Sequence, residues 1–478
     1  MTLLGAGASA DAGYPMGGAF LPALREQSRK DEWESELRSF SDAHLDELER
    51  LLRDVGQLTL PPRLTEPVEG QLFSGGSLVY RTERGVSFAT TLIERRTSGS
   101  EARLSPVYLE DFFAFWDSVY QPPFSEIWSA RLRKLHHTDL QTRRHLLREM
   151  RDRAVWVVYD LLDPSRCQDA GYLIPLLRLP GPKPGTPVVC TLNFDLTVER
   201  AAREGDILVS DGFRPATDLS PPSSWHGSFL QAWNDLTETF EFYVGFQPLS
   251  DIHTELLKIH GSLGWFRIEE GSADVGWSEI LRDNVRVSTF RHSPDEMLSG
   301  KPIQNFSGKN GFVCKSGRQL TGKMGQVWFR PDMVFARSRK LTPTGPMPAS
   351  LRRFSERLAA ARHLVAVGYG WRDSHINDVI FEQVARGLEV VNVSNMPVPN
   401  GLVELLVNKF PTTHRKVLHQ FLCLGGGAKK AILSGAAITP LGGESAFSIH
   451  ALSSDPSLLQ PFGLGRWVEQ RSEVHRAG

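Results

Sequence analysis

The chain opens with Met1-Thr-Leu-Leu-Gly5-Ala-Gly7-Ala-Ser9-Ala-Asp-Ala-Gly13-Tyr-Pro15, a pattern that predicts a short apolar strand, a glycine-rich turn and the start of a helix. Gly5 and Gly7 permit the backbone angles and close approach that a side chain forbids. Amides at the start of a helix carry the positive end of its dipole, so such a turn suits a phosphate or pyrophosphate. Position 10 is alanine where the full dinucleotide fingerprint has glycine, and an ordinary tight turn is the alternative interpretation.

Length and composition limit the class of protein. The chain has 478 residues, so we expect several domains or one domain with large insertions. Its formal charge of -1 gives no argument for a nucleic-acid surface, and we expect no direct nucleic-acid binding by this chain. No apolar run is long enough for a membrane span, and the pattern of a signal peptide is absent.

The cysteines exclude two kinds of small structural site. Cys167, Cys190, Cys314 and Cys423 are far apart in the sequence, and no two form a C-x-x-C pair. The sequence therefore predicts neither a zinc ribbon nor a disulfide framework, and we expect a reducing, cytoplasmic compartment.

Polar or glycine turns follow four more apolar segments that have the length of buried strands. The segments are 187–192, 256–259, 363–368 and 388–395, and the polar or glycine residues at their ends are Asn193–Asp195, His260-Gly261, Gly368–Gly370 and Asn392–Asn395. Helical patterns separate the segments, which is typical of a parallel α/β sheet. Ligands of such sheets bind beyond the carboxyl ends of the strands, so we expect all these turns to line one crevice.

The chain therefore has a predicted domain plan. We predict an α/β fold, a Rossmann-like doubly wound parallel sheet with large, mainly helical insertions, whose sheet domain comprises residues 1–30 and 176–400. Residues 31–175 form a helical insertion, 270–345 a smaller insertion, and 401–478 a helical or irregular extension.

Several segments have a more local interpretation. The aromatic residues Phe112, Phe113, Phe115 and Trp116 are typical of a core, and Arg131–Arg153 of a solvated helix face. The other local predictions are a hairpin around Leu78–Tyr80 and Val86–Phe88, and helices over Leu402–Phe410 and Arg415–Leu424.

Four motifs occur in a fixed order along the chain. They are Gly5-Ala-Gly7-Ala-Ser9 with Ala12-Gly13-Tyr-Pro15; Thr191-Leu-Asn193-Phe-Asp195; Lys258-Ile-His260-Gly-Ser262 with Trp265; and Val367-Gly368-Tyr-Gly-Trp-Arg-Asp373-Ser-His375-Ile-Asn377. This set resembles the sirtuin superfamily, and most closely its bacterial branch, the sirtuin-like (SIR2-like) domains of anti-phage defence proteins. The resemblance implies a sirtuin-like NAD-binding Rossmann domain.

The resemblance implies a cofactor-binding set along the crevice. This set consists of Gly5, Ala6, Gly7, Ser9, Gly13, Gly368, Tyr369 and Asn392. The residues of the first turn would bind the NAD pyrophosphate and the adjoining ribose. The later residues would line the adenosine side, with Asn392 near its ribose.

Three residues receive catalytic roles from the same resemblance. Asn193 would contact the nicotinamide ribose and place a water, Asp195 would hold the nicotinamide carboxamide, and His260 would be the general base. A histidine titrates in the right range for that task. His226 lies in the same His-Gly-Ser tripeptide but lacks a preceding apolar strand, so it is the second candidate.

Other roles for these residues remain open. Asn193 and Asp195 are residue types that cap helices, and a helix follows them. We expect Asp373 to cap the next helix, and we expect His375 not to act as a second base.

The resemblance also implies a function. Deacylating sirtuins carry a zinc ribbon that these cysteines do not form, so we expect an NAD glycohydrolase with NAD as its substrate and no zinc. It would be an abortive-infection effector that depletes NAD. The alternatives are a protein deacylase or ADP-ribosyltransferase, and a non-catalytic sensor of NAD or ADP-ribose. Relatives act as homo-oligomers, or with a ring-forming DNA-translocase ATPase or a short Argonaute, and we expect no membrane association.

Overall fold

A computed structural model of the chain describes two β-sheets and the helices that pack around them. The described residues are 1–15, 17–29, 35–53, 109, 112, 113, 115, 140–179, 186–215, 240–243, 254–270, 287–298, 312–313, 319–320, 323–324, 327–333, 345–371, 373–395, 402–413, 417, 420–424, 427–433 and 438–440. Some predictions lie outside them, namely the hairpin at 78–88, Trp116, residues 131–139, His226, Cys314 and the chain after residue 440.

The strands of these residues form two main sheets and one small hairpin. In chain order they are β1 (Thr2–Leu4), β2 (Val188–Thr191), β3 (Val209–Ser210), β4 (Phe213–Pro215), β5 (Phe240–Tyr243), β6 (Thr254–Lys258), β7 (Gly261–Glu270), β8 (Val287–His292), β9 (Phe312–Val313), β10 (Gln319–Leu320), β11 (Lys323–Met324), β12 (Val327–Met333), β13 (His363–Val367), β14 (Glu389–Val393), β15 (Phe421–Leu424) and β16 (Ile438–Pro440).

The larger sheet has the strand order β16-β15-β14-β13-β1-β2-β6-β3. Seven of its strands are parallel, and only β16 at the edge runs antiparallel to its neighbour. The predicted strands at 187–192, 256–259, 363–368 and 388–395 are confirmed as β2, β6, β13 and β14, but β14 continues to Val393, so Asn392 lies in the strand and not in the turn after it. The coarse prediction of a Rossmann-like α/β sheet is therefore confirmed.

Helices occur between the strands. In chain order they are α1 (Ala6–Ala10), α2 (Phe20–Ser28), α3 (Ser35–Arg53), α4 (Leu140–Leu161), α5 (Ile174–Leu177), α6 (Thr197–Glu204), α7 (Pro294–Leu298), α8 (Pro346–Ala359), α9 (Ser374–Ala385), α10 (Leu402–Lys409) and α11 (Ala428–Leu433). No helix among the described residues has both the length and the apolar character that crossing a membrane requires.

Both faces of the larger sheet are covered by helices. Successive strand residues point to opposite faces, so Val365 and Val367 join one buried cluster with α1, α5, α6 and α11. Leu364 and Ala366 join a second cluster with α8, α9 and α10. Burial on both faces explains why these strands are nearly continuous apolar runs in the sequence.

A second sheet is antiparallel and has the order β11-β12-β7-β8-β5-β4. Its strand β7 begins at Gly261, two residues after Ile259 and three after the end of β6, so the two sheets are joined directly at His260. From the sequence we predicted an insertion over 270–345 but not this sheet. Its strands come from separate segments that pair only in the folded chain.

The described chain after residue 400 also contributes to the larger sheet. The predicted helix over Arg415–Leu424 is wrong at its end, because Phe421–Leu424 is β15 and pairs in parallel with β14. Phe421 and Cys423 are fully buried, whereas a helix at this place would leave the edge of β14 without a partner. The segment 401–478, assigned to an extension, thus supplies two strands of the sheet.

Helices α2, α3 and α4 pack on one another beside the sheet. Phe112 and Phe113 are fully buried, and the Phe112 ring lies 5.1 Å from the ring of Phe20 on α2. The prediction that this aromatic stripe belongs to a core is therefore confirmed for its described members.

Candidate functional site at the carboxyl edge of the sheet

Five neighbouring strands, in the order β14-β13-β1-β2-β6, end at the same edge of the larger sheet because they are parallel. The turns after them start at Ser394, Gly368, Gly5, Leu192 and Ile259. Residues that are up to 390 positions apart in sequence therefore share one edge. This is the arrangement in which open α/β sheets bind ligands.

The glycine turn after β1 is joined to the turn after β13 by backbone hydrogen bonds. The amide of Gly5 donates to the carbonyl of Val367 at 2.9 Å, and the amide of Gly7 donates to the carbonyl of Gly368 at 3.1 Å. Gly368 has a φ of +63°, and a Cβ there would lie 2.1 Å from the amide nitrogen of Ala8. The glycines are therefore needed for contact between the two turns.

This contact changes the expected role of the turn. The sequence pattern predicted that amides of the glycine turn face a pyrophosphate, but those of Gly5 and Gly7 donate to carbonyls within the protein. Ala6 lies between them and is exposed at the surface of the turn. Gly13 follows α1 and has a φ of +102°. A Cβ there would lie 2.8 Å from the carbonyl oxygen of Arg166, so this glycine is needed for the contact with that segment.

Asn193, after β2, reaches across to the same turn. Its side-chain Nδ2 donates to the carbonyl of Gly5 at 2.9 Å and to the hydroxyl of Ser9 at 2.8 Å. A carbonyl oxygen only accepts, so this contact fixes which end of the amide faces the turn. The amide oxygen of Asn193 consequently remains as an acceptor on the other side.

Ser9 and Asp195 are both buried beneath this edge. The Ser9 hydroxyl accepts from Asn193 and is contacted by the hydroxyl of Thr197 at 3.3 Å. Oδ1 of Asp195 accepts from the amide of Thr197 at 3.0 Å and from its hydroxyl at 2.6 Å, the capping contact that was the alternative role for Asp195. Among the described residues no donor reaches Oδ2 of Asp195.

Burial raises the pKa of Tyr14, and the nearby Asp195 carboxylate raises it further, so this phenol stays neutral.

A buried lysine holds the ends of β2 and β6 together. The ammonium of Lys258 donates to the carbonyl of Asp195 and the hydroxyl of Ser262, both at 2.8 Å, and to Oε1 of Glu199 at 2.6 Å. These three acceptors match the three ammonium hydrogens. Burial raises the pKa of the Glu199 carboxyl, and the Lys258 charge acts in the opposite direction. The lysine thus fixes the two strand ends that carry Asn193 and His260.

His260 lies in a group of three titratable side chains. Its Nε2 is 3.0 Å from Oδ2 of Asp373, and Nδ1 of His375 is 2.6 Å from Oδ1 of the same carboxylate. Asp373 precedes α9 as expected, but its side chain makes no capping hydrogen bond and lies between the two imidazoles instead. Because β1 and β2 lie between β13 and β6, the contact of His260 with Asp373 bridges the width of those two strands.

Two of the residues assigned to the adenosine side, Tyr369 and Asn392, are buried, and Gly368 is partly buried. The hydroxyl of Tyr369 donates to Oδ1 of Asn377 at 2.7 Å. Asn392 is fully buried in β14, where its Oδ1 accepts from the indole of Trp371 at 2.9 Å. Trp371 has the unusual φ of +57°, and its ring stacks on Phe381. In this conformation the Trp371 ring covers Asn392.

Lys258, Trp371 and Asp373 make contacts at this site that were not predicted from the sequence. Lys258 lies two residues before His260 on an apolar strand, and a lysine in such a run is itself an indication of a buried charge pair. The partners of Asp373 and Trp371 come from distant segments, and their spacing in the sequence gives no indication of the contacts.

Comparison with known proteins adds no assignment. A scan of the chain against protein-family models gives no match, and neither does a search of the curated proteins. The fold and the site together define an α/β protein with a Rossmann-like parallel sheet, whose carboxyl edge carries a glycine turn, an asparagine amide and a His-Asp-His group.

Substitution of Gly368 tests the contact between the two turns. We expect Gly368→Ala to lower the free energy of unfolding by on the order of 3 kcal/mol, because the new Cβ meets backbone atoms and the positive φ adds strain. Gly370→Ala is the matched control, since a Cβ there meets nothing within 4 Å. Denaturant unfolding of both variants measures the difference, and equal stabilities would contradict the steric argument.

Substitution of Lys258 tests the buried network. We expect Lys258→Met to lower the free energy of unfolding by about 3–5 kcal/mol, because the carboxylate of Glu199 is left buried without its counter-charge. Arg386→Met is the control, since its partner Glu382 is exposed and such pairs contribute at most about 1 kcal/mol.

The decrease in the free energy of unfolding caused by Lys258→Met should also depend on pH. Burial raises the pKa of the folded Glu199 carboxyl above its ordinary value of 4.5, so its ionisation opposes folding. Below that value the carboxyl is neutral in both states and the penalty is absent, and the penalty grows as the pH rises. Unfolding at pH 5 and pH 8 should therefore show the smaller loss at pH 5. A loss that is the same or larger at pH 5 would mean that Glu199 is not the cause.

Proposed function

We propose that this chain is an NAD glycohydrolase, which cleaves NAD with water into nicotinamide, ADP-ribose and a proton. The observation that carries the proposal is the pair of hydrogen bonds from Asn193 to Gly5 and Ser9. They bring together two motifs whose resemblance to sirtuin-like domains suggested an NAD site. His260 follows β6, the strand next to β2, at the same edge.

In NAD hydrolysis the main task of the protein is to position the substrate and the attacking water. Nicotinamide leaves a cationic ring as a neutral molecule, so no strong general acid is required. The ribosyl group then develops positive charge, as in glycoside hydrolysis, and a water attacks the anomeric carbon. Holding that water and accepting its proton are the remaining tasks. In this proposal the amide oxygen of Asn193 orients the water, and the imidazole of His260 takes the proton.

The cysteines favour hydrolysis over protein deacylation. Cys167, Cys190 and Cys423 are buried, and the latter two lie on different strands of the larger sheet, β2 and β15. Burial raises the pKa of the Cys167 thiol to about 11, which disfavours a thiolate ligand. A four-cysteine zinc ribbon that shapes an acyl-lysine groove therefore has no counterpart among these residues.

The biological setting follows from the resemblance alone and is part of the proposal. Such an enzyme would act in the cytoplasm as an abortive-infection effector, silent until a phage signal arrives, and would then deplete NAD. It would work as a homo-oligomer, or with a ring-forming DNA-translocase ATPase or a short Argonaute as its partner.

The test is release of nicotinamide from NAD by the purified chain, alone and with the products of its neighbouring genes. We expect Asn193→Ala and His260→Ala each to lower the rate by at least about 100-fold, since a general base contributes that much. His363→Ala is the control. That histidine also lies near a carboxylate, Glu389, but at the opposite end of β13.

Each other outcome points to a different function. Unchanged release in both site variants would make the residue assignment wrong. Turnover only with an acyl-lysine peptide or a protein acceptor would indicate a deacylase or an ADP-ribosyltransferase. Saturable NAD binding without turnover, with every candidate partner added, would indicate a sensor.

A further inference from the structure

We propose that His260, Asp373 and His375 form a binding site for a divalent transition-metal ion, for which Zn²⁺ is the best match. We further infer that the bound metal inhibits the enzyme, because it occupies the imidazole that takes the proton. The site itself is argued from geometry, whereas its inhibitory effect rests on the proposed NAD hydrolysis.

The distances among the three side chains carry the proposal. One ligand atom from each, two imidazole nitrogens and a carboxylate oxygen, lie within 4.8 Å of one another. Ligands about 2.1 Å from a tetrahedral Zn²⁺ are about 3.4 Å apart. Nε2 of His260 is 3.0 Å from Oδ2 of Asp373 and Nδ1 of His375 is 2.6 Å from Oδ1, so the carboxylate lies between the two imidazoles and must move outward by side-chain rotation when an ion enters.

The donor set selects the kind of metal. Neutral imidazole and carboxylate are ligands for Zn²⁺ and its first-row neighbours, whereas Mg²⁺ and Ca²⁺ prefer oxygen alone. Three protein ligands leave a coordination position open for water, as in zinc sites that are not purely structural. The predicted absence of a cysteine zinc ribbon is a separate matter, since this site uses no cysteine.

The backbone that carries these ligands is held in place. His260 lies two residues after the end of β6 and directly before the start of β7, so it is fixed at the junction of two sheets. The carbonyl of Asp373 accepts from the amide of Asn377 at 2.9 Å, and the hydroxyl oxygen of Tyr369 lies 3.2 Å from the same carbonyl oxygen. Such contacts behind the ligands reduce the cost of arranging them around an ion.

A second histidine–carboxylate pair provides a contrast within the chain. Nε2 of His363 lies 3.6 Å from a carboxylate oxygen of Glu389, but these two are not part of any group of three potential ligands among the described residues. A histidine beside one carboxylate therefore does not by itself make a three-ligand metal site in this chain. This pair supplies the control for the metal experiments.

The first experiment measures metal binding directly. Untagged protein is stripped with a chelator and then titrated with Co²⁺, whose visible absorption reports four- or five-coordinate nitrogen and oxygen ligation, and Zn²⁺ is used to displace it. We expect one equivalent per chain in the wild type and in His363→Ala. We expect an affinity at least about 100-fold weaker in His375→Ala, since losing even an outer contact of a ligand costs 10–100-fold.

Asp373→Asn is the second variant, because it keeps the shape of the side chain while removing its charge. It too should lose the Co²⁺ absorption, and thermal melting shows whether each variant is folded. Absence of one-equivalent binding in the wild type, or binding unchanged in both variants, would overturn the site. The three side chains would then act only through contacts with one another.

The second experiment tests inhibition. Zn²⁺ should suppress nicotinamide release by the wild type in proportion to occupancy of the site, and a chelator should restore it. In His375→Ala the inhibitory concentration should rise by at least about 100-fold, with each protein compared with its own metal-free rate. Metal binding without inhibition would overturn the inhibitory role and leave the site. Metal binding to a chain that never turns over NAD would instead count against the proposed hydrolase.

Discussion

The contact between the turns after β1 and β13 is the constraint on which the site depends. Gly5 and Gly7 donate to the backbone at Val367 and Gly368, and the positive φ of Gly368 brings its Cα against the first turn. These backbone groups need partners once they are buried, and here they find them in each other. The two turns therefore behave as one unit rather than as two independent loops.

Asn193 extends that unit to the next strand. Both of its amide hydrogens are used on the first turn, through Gly5 and Ser9, and the neighbouring strand end is fixed by Lys258. The cost of burying the Lys258 ammonium is offset only because three acceptors surround it. The polar groups of this edge thus hold the strand ends in register, and they also form the proposed ligand site.

The sequence predicted β1, β2, β6, β13 and β14, their parallel direction and their shared edge, because these depend on local apolar runs and on turn residues. Burial on both sheet faces made β2, β13 and β14 visible as continuous apolar segments. The strand β15 was mistaken for a helix end, since four apolar residues fit either structure and only pairing with β14 decides between them.

The partners that individual side chains contact could not be predicted in the same way. Ser9 and Asn392 have the residue types of ligand contacts, yet one is bonded beneath the turn and the other lies under Trp371. Asp373 occupies the expected position before α9, but its carboxylate lies beside His260. Each of these outcomes depends on a partner more than twenty residues away in the chain or on the far side of a strand, and local pattern carries no information about it.

The chemical character of the edge connects the two proposals. The donors of Asn193 face the glycine turn and the ammonium of Lys258 faces buried acceptors, so the groups left at this edge are mainly acceptors. They include the amide oxygen of Asn193 and the carboxylate of Asp373, which lies between two imidazoles. Fixed acceptors of this kind stabilise positive charge that develops during a reaction, such as that of a ribosyl group losing nicotinamide. The same property attracts a divalent cation, so the proposed reaction and the proposed metal binding depend on the same acceptors.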